Sequence, residues 1–417
     1  MKKYDLIVVG GGLAGVGAAV AGAKQGLSVL LIEKSNNLGG ALTNSLVFPF
    51  CPYRAVDSEK NIDKLLSGGV FTEIRERYAK KTGKVVDRTF DTEYFKFVLD
   101  DIATESGVDV LFHATVCGVF VADRRVKGVQ VATKAGTTEY EADFFVDASG
   151  DGDLFYLAGC DYLLGREEDN LCQAMTTCFR LCGVDLDKYR EEIPTLQALY
   201  KQYRSEGKIT NPRENILIFD GVGDGLLHFN TTRIVNVDPT DPIAISSAEI
   251  EARRQICELV DLLKNNSEAF KNCMISSVAT QIGVRESRKL KGEHILTVDE
   301  LFGRVMFEDS IALGNYDVDI HNPAGTGTVM KKFDRRYYYS IPYRSLLPKE
   351  YDNMLVAGRC LSADHAAHSS VRVMPICACM GEAAGTALAL AHKTGKNAHT
   401  VDINAVRTRL IEKGAAL

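Results

Sequence analysis

The first thirty-three residues constrain this chain most. Residues 6–9, Leu-Ile-Val-Val, form a short apolar run suited to a buried parallel strand. Gly10, Gly12 and Gly15 follow in a G-x-G-x-x-G spacing. Residues 14–25 read as a helix ended by Gly26, and residues 28–32 as a second strand closing on Glu33. This is a βαβ unit of about thirty residues, the context in which the glycine spacing carries meaning. Gly10 permits a tight turn, Gly12 lets backbone approach a pyrophosphate, and Gly15 lets helix pack closely on strand. The helix N-terminus offers N–H groups to phosphate charge, and Glu33 is placed to accept hydrogen bonds from an adenosine ribose. The expectation is a dinucleotide site.

A leader peptide competes for the same residues. Met1-Lys2-Lys3 precede eighteen uncharged residues, 6–23, and Ala21-Gly22-Ala23 imitates a cleavage site. Asp5 interrupts the basic start, and six of the eighteen are glycine, which weakens a continuous helix. No other stretch reads as a membrane span. A net charge of −6 argues against a nucleic-acid surface. The 417 residues suggest two or three domains, and 46% apolar content excludes a disordered chain. The 11 cysteines are odd in number and lack any C-x-x-C pair. They read as reduced, mostly buried thiols of a cytoplasmic protein. The alternative is a redox-active pair at Cys377/Cys379 or Cys178/Cys182.

The fingerprint serves FAD and NAD alike, so later residues must decide. A nicotinamide domain continues as alternating strands and helices, whereas here Leu38-Gly39-Gly40-Ala41 and the irregular Phe48-Pro49-Phe50-Cys51-Pro52 follow Glu33. The glycine spacing, Glu33 and Gly39-Gly40 resemble the opening of glutathione-reductase-type FAD proteins. Val146-Asp147-Ala148-Ser149-Gly150-Asp151-Gly152-Asp153 resembles their later FAD motif, with serine where threonine is common. Gln281 to Arg288, Ile341-Pro342-Tyr343-Arg344-Ser345-Leu346, Leu355-Val356-Ala357-Gly358-Arg359-Cys360 and Ser369 to Pro375 are similar to signatures of the broad FAD-dependent oxidoreductase family, distant relatives of fumarate reductase flavoproteins. The likeness runs nearly end to end.

The resemblance implies an α/β fold: a Rossmann-like FAD-binding domain with a β-meander, plus an interleaved α+β substrate/cap domain. The expected FAD-binding domain is discontinuous, 1–45, 98–165 and 341–417; the cap comprises 46–97 and 166–340. β-like runs at 110–112, 114–121, 126–133 and 144–146, with turns at Asp123-Arg124 and Ala135-Gly136, supply the meander. Residues 221–225 read as a hairpin turn, so a second dinucleotide fingerprint is lacking. Residues 248–264 read as an amphipathic helix. Another helix starts near Pro375, with Gly381, Ala384 and Gly385 forming a small face for close packing.

By the same resemblance, FAD meets Gly10, Gly12, Leu13, Ala14, Gly15, Glu33, Lys34, Gly39, Gly40, Ala41, Val116, Ala148, Ser149, Gly150, Gly358, Arg359, Met374 and Pro375. In relatives the residue at 359 is commonly aspartate, so Arg359 meets either a phosphate or the cofactor through backbone alone. The helix starting near Pro375 faces the N1/O2 side of the flavin in relatives, and Arg372 adds charge there or forms a structural salt bridge. His365 or His368 is the candidate proton carrier; the alternatives are a loop histidine bonded to backbone or pyrophosphate, or a metal ligand, for which no third ligand is evident. Arg233, Arg285, Arg288 and Arg344 are candidates to clamp an anionic substrate, while Arg285 and Glu286 can equally tie the domains together. Tyr343 is either a proton donor or a core residue. Asp319-Ile320-His321-Asn322-Pro323 reads first as a loop turn, with a site role as the alternative, and Tyr337-Tyr338-Tyr339 reads as a strand. The function expected is hydride transfer between flavin N5 and a small organic substrate. Its rivals are a protein with structural or regulatory FAD and an NAD-dependent dehydrogenase. The electron donor or acceptor is left open, and a homodimer is among the assemblies considered.

Overall fold

The computed structural model describes residues 3–417 other than 58, 61, 87 and 88; Met1 and Lys2 of the leader reading lie outside the described residues. The apolar run at the start forms the strand Lys3–Val9 at the centre of a seven-stranded sheet. Its parallel partners are Val29–Ile32 on one side and the end of Gly136–Asp147 on the other. Val108–Leu111 extends the sheet beyond Val29–Ile32, and Met354–Val356 joins Gly136–Asp147 in parallel. Residues 6–9, Val29–Ile32 and Met354–Val356 are buried on both faces and carry the continuous apolar runs that parallel sheets require, while Val108–Leu111 at the edge is partly exposed.

Gly136–Asp147 is twelve residues long, far longer than the 144–146 run legible as a strand. Its first half is exposed and pairs antiparallel with Arg125–Thr133, which pairs in turn with Thr115–Ala122. Its buried second half belongs to the parallel sheet. One strand thus carries the meander back into the nucleotide fold. The exposed half, Thr137-Thr138-Glu139, has no apolar pattern to announce it.

The helix Leu13–Ala23 packs against the helix Met374–Thr394 almost backbone to backbone. A Cβ at Gly381 would fall 1.9 Å from the Ala14 carbonyl oxygen, and one at Gly385 2.1 Å from that of Ala18. The small face expected from Gly381, Ala384 and Gly385 is therefore used. Contrary to the reading that no other stretch could span a bilayer, Met374–Thr394 is long and apolar enough to do so; the most apolar 18 residues of it are 89% buried inside the fold.

Residues between Phe179 and Cys273 build a second core, whereas Leu290, Leu296, Leu301, Ile311 and Phe333 join the main one. Ile218–Asp220, Leu227–Phe229, Phe179–Cys182 and Met274–Val278 form an antiparallel sheet, with 221–225 as the hairpin turn between the first two. The helices Leu186–Ser205 and Pro242–Asn266 contribute to its separate hydrophobic cluster around Phe179, Phe229 and Phe270. The second helix begins six residues before the amphipathic pattern, because Asp241 accepts from the N–H groups of Ile243 and Ala244 and Pro242 fits the first turn. The expected boundary at 97/98 falls inside one helix, Thr92–Glu105, whose Phe95, Val98, Leu99 and Ile102 join the main core.

Two loop expectations are corrected. Residues 365–368 open a short helix, His365–Val371, capped by Asp364, which accepts from the Ala367 N–H. Asp319 to His321 lie on the strand Val318–His321, paired with Thr328–Lys331, so the turn comes after them. Of the three tyrosines, only Tyr339 enters a strand, Tyr339–Pro342.

Candidate cofactor and substrate site

Three loops converge on the start of the Leu13–Ala23 helix. Gly10 has φ +98°, and a Cβ there would lie 2.5 Å from the Ala148 carbonyl oxygen. A Cβ on Gly15 would lie 1.8 Å from the Gly10 carbonyl oxygen. Gly12 differs: a Cβ there meets nothing within 4 Å. It caps the helix with no side-chain acceptor, so the first-turn N–H groups of Leu13, Ala14 and Gly15 point toward that open space. Gly39 donates to the Gly11 carbonyl at 2.8 Å and bridges Gly12, which brings Gly40 and Ala41 alongside. Gly358, with φ +90°, sits where a Cβ would come 2.9 Å from the Ala14 side chain. A pyrophosphate needs such a cradle of bare backbone at a helix N-terminus, so the residues fit a dinucleotide.

Glu33 is buried beside this cradle and accepts from the Gly11 N–H at 2.6 Å and the Ser35 N–H at 2.7 Å. Each carboxylate oxygen keeps a further lone pair for a ribose hydroxyl. The Ala114 N–H donates to the Glu33 carbonyl, which brings the strand of Val116 to the same end. Ala148 follows the sheet strand and donates to Val9, and Ser149 donates to Asp147 at 2.7 Å. Gly150 lies against Arg359. Arg359 pairs with Asp151 at 2.7 Å and reaches Ser287 at 2.9 Å. Lys34 stands 3.9 Å from Asp151, and Arg288 bonds the Asp151 carbonyl and Asp153 while lying over Tyr156. Met374 and Pro375 open the Met374–Thr394 helix with no side-chain cap.

The residues ahead of that helix meet the middle segment through Gln173. Its backbone N–H donates to Glu286 at 3.1 Å, while its side-chain oxygen accepts from Arg372 and from the His321 N–H. Glu286 is fully buried and accepts from His365 Nδ1 at 2.9 Å and from Lys289. Burial would raise its carboxyl, yet the His365 hydrogen bond and the Lys289 charge hold it down to about 2. His365 therefore donates through Nδ1 and keeps the Nε2 lone pair when neutral. His368 is wholly buried and bonds the Arg359 carbonyl at 2.7 Å; burial holds its ring well below the usual range, hence neutral. Its neighbour is backbone, one of the alternatives weighed for it.

On the other side of Gln173, Asp319 accepts from the Tyr316 hydroxyl at 3.0 Å and stands 3.4 Å from His321 Nε2. Burial would raise Asp319, but His321, Arg372 and Arg285 hold it well below the carboxylate range. Burial and Arg285 push His321 down to about 3. His321 Nδ1 faces Arg233, a buried guanidinium that also reaches the Gly327 carbonyl and Thr328. Arg285 bonds the Ala174 carbonyl and Thr176. Cys51 shares this neighbourhood: burial pushes its thiol up to about 11, opposed by Arg372 and Tyr316.

The structure thus brings together His365, Arg372, Arg285 and Arg233 with Asp319, whose stretch had a site role as its second reading, and adds Gln173, Glu286, Tyr316 and Cys51, which the motifs did not single out as site residues. Asp319, Glu286 and Cys51 stood inside stretches already noted. Tyr343 and Arg344 are not brought there. The Tyr343 hydroxyl is spent on the Ala398 carbonyl at 2.8 Å inside the core, and Arg344 pairs with Asp309 at the surface. Clefts of about 370 Å³ beside Arg190 and Asp220 and about 420 Å³ beside Lys24 and Glu382 lie elsewhere. A group able to hold a metal among the described residues is Asp5, Asp143 and His392, also remote, and Lys3 already pairs with Asp143. All eleven cysteines are free, and seven are buried.

A family described as FAD dependent oxidoreductase matches residues 5–410. The chain belongs to that family. Its cofactor is FAD, which decides between the two dinucleotides the fingerprint allows. A digeranylgeranylglycerophospholipid reductase of Methanococcoides burtonii is 29% identical over 197 residues, 45% of this chain and 46% of that protein. One from Thermoplasma volcanium is 24% identical over 203 residues, 45% and 49% of the two chains. The chain spans about half the length of the curated relatives it matches. Among solved structures, a geranylgeranyl bacteriochlorophyll reductase-like protein of Thermoplasma acidophilum is similar with a TM-score of 0.44 and 14% identity, covering 100% of this chain and 85% of that one. A myxobacterial chondrochloren halogenase, a variant of FAD-dependent halogenases, has a TM-score of 0.44 and 14% identity, covering 98% and 78%.

Proposed function

We propose that this flavoprotein of the FAD-dependent oxidoreductase family moves a hydride between flavin N5 and a small organic substrate. The observation that carries the reading is the junction at Gln173. There the segment entering the Met374–Thr394 helix, with His365 and Arg372, meets Gln173, Glu286 and His321 of the middle segment, with Arg285 and Asp319 beside them. FAD, when bound, supplies the hydride chemistry itself. In this reading the glycine loops and Glu33 hold the dinucleotide half, and Arg359 and Lys34 balance the charge around Asp151. Residues 46–97 and 166–340 cap the reacting end and exclude water. Arg285 and Arg372 orient the substrate. His365 takes up or gives the proton at Nε2, because Glu286 occupies its Nδ1–H and fixes the ring.

The test is anaerobic. The flavin of the purified protein is photoreduced and challenged with a panel of oxidised organic compounds, while the oxidised flavin is challenged with their reduced counterparts. At least one pair is expected to change the flavin absorbance within the enzyme's turnover time, with His365→Ala slowing it about 100-fold or more. A flavin that exchanges hydride with none of them points to a structural cofactor and refutes the proposal.

A further inference from the structure

The buried junction between the middle segment and the residues ahead of the Met374–Thr394 helix holds guanidinium groups without matching partners. Arg213 is 8% exposed, and its Nε and Nη1 have no acceptor among the described residues. The Nε of Arg372 and the Nε2 of Gln173 are likewise buried and unpartnered. Burial, with repulsion from Arg372 and Arg213, pushes the Arg285 guanidinium down to about 9. Arg233 is nearby but served: it reaches Glu214, the Gly327 carbonyl and Thr328. The group therefore sets four guanidiniums, 213, 233, 285 and 372, against two carboxylates, Glu214 and Asp319. His321 does not add to the charge, because burial keeps its ring neutral.

Two positive charges in a water-poor interior are costly unless an anion compensates them. Water can accept the orphaned N–H bonds, but it brings no charge. A carboxylate or phosphate does both, and guanidinium forks suit either in bidentate geometry. We propose that Arg213, Arg285 and Arg372 form the binding subsite for a small substrate carrying two negative charges, a dicarboxylate or a phosphate monoester. Gln173 donates its free amide N–H to the same anion. This deepens the hydride-transfer reading and rests on it for the word substrate; the anion site itself stands on the arginines. Arg213 lies outside every motif noted in the sequence, in the stretch Asn211-Pro212-Arg213, and its backbone N–H is fixed by Asn211 at 3.0 Å.

The proposal is tested by calorimetric titration of the FAD-loaded protein with succinate, its neutral counterpart succinamide, acetate, inorganic phosphate, glycerol 3-phosphate and dihexanoyl phosphatidate. Succinate or a phosphate is expected to bind at least about 30-fold more tightly than succinamide, and acetate to fall between. Preference for succinate assigns a dicarboxylate. Preference for phosphate or glycerol 3-phosphate assigns a free phosphate, and preference for phosphatidate a lipid headgroup. Arg213→Gln is expected to weaken the winning probe about 10- to 100-fold while leaving flavin content unchanged. If every anion binds no better than succinamide, the subsite does not exist. Should Arg213→Gln fail to fold, the wild-type comparison alone decides. The two readings fail separately. Tight anion binding without any flavin reoxidation sinks the hydride transfer and keeps the subsite, and turnover of neutral compounds with no anion preference does the reverse.

Discussion

Gly12→Ala separates what the fold needs from what the cofactor needs. Gly12 has φ −65° and ψ 177°, a conformation open to any residue, and an added Cβ meets no protein atom within 4 Å. Alanine is a poorer helix cap, at about 0.5–1 kcal/mol. The unfolded chain loses freedom worth about 0.4–1 kcal/mol, which offsets it. The apoprotein should therefore keep its stability within about 1 kcal/mol. The new methyl, however, projects into the space faced by the first-turn N–H groups. If it displaces a pyrophosphate enough to break two charge-assisted hydrogen bonds, at about 1.5–3 kcal/mol each, FAD binding weakens by roughly 100- to 10,000-fold. Gly10→Ala and Gly15→Ala are the contrast. Their Cβ atoms would lie 2.5 Å and 1.8 Å from backbone oxygens, so both should destabilise the chain with or without cofactor. The assay is denaturation of the apoproteins beside FAD titration followed by flavin fluorescence. A Gly12→Ala protein that binds FAD like the wild type, or one whose apoprotein is as unstable as Gly15→Ala, would refute the reasoning.

Three further outcomes follow from buried groups. Glu382 is raised by burial from 4.5 to about 7 and accepts from the Val70 N–H. The unfolded chain ionises it near 4.5 while the native state keeps its proton, so its contribution to stability is lost as pH rises from 4.5 to 7, by on the order of 3 kcal/mol. Glu382→Gln should remove that loss, and equal pH slopes for variant and wild type in denaturation experiments would count against it. Glu286→Gln leaves the fully buried Lys289 without its counter-charge, which should cost about 3–5 kcal/mol, with part recovered in Glu286→Gln/Lys289→Met; no recovery in the double variant contradicts the pairing. Tyr343→Phe should lower stability by about 1–2 kcal/mol through the stranded Ala398 carbonyl and leave kcat unchanged, and a large fall in kcat would restore it as a proton donor.

The nucleotide half of this fold is legible in the sequence because its determinants are local. A tight turn, a helix start and a buried strand follow one another within thirty residues, and each imposes its own residue type. The helix crossing was legible for the same reason, since Gly381 and Gly385 mark the side on which backbone meets backbone. Legibility fails where the deciding contact is distant or polar. The exposed half of Gly136–Asp147 is held by its ladder to Arg125–Thr133 and not by an apolar pattern. The short His365–Val371 helix contains two serines and a valine, weak helix formers, and is held by the Asp364 cap.

The substrate side is harder to read for a reason specific to charge. Arg213, Arg285 and Arg372 are separated by more than seventy residues at each step, and each alone resembles any surface arginine. Nothing local distinguishes Arg213 from Arg344, which pairs with Asp309 in solvent. What distinguishes it is burial without a partner, a property that exists only once the chain has folded. Motif resemblance picked out Arg285 and Arg344 from neighbouring signatures, but only one of them lies near Asp319. For the cofactor, sequence spacing is itself the geometry. For the substrate, the useful quantity is the charge left over when every buried ion has been matched, and here that remainder is positive and gathered on Arg213, Arg285 and Arg372.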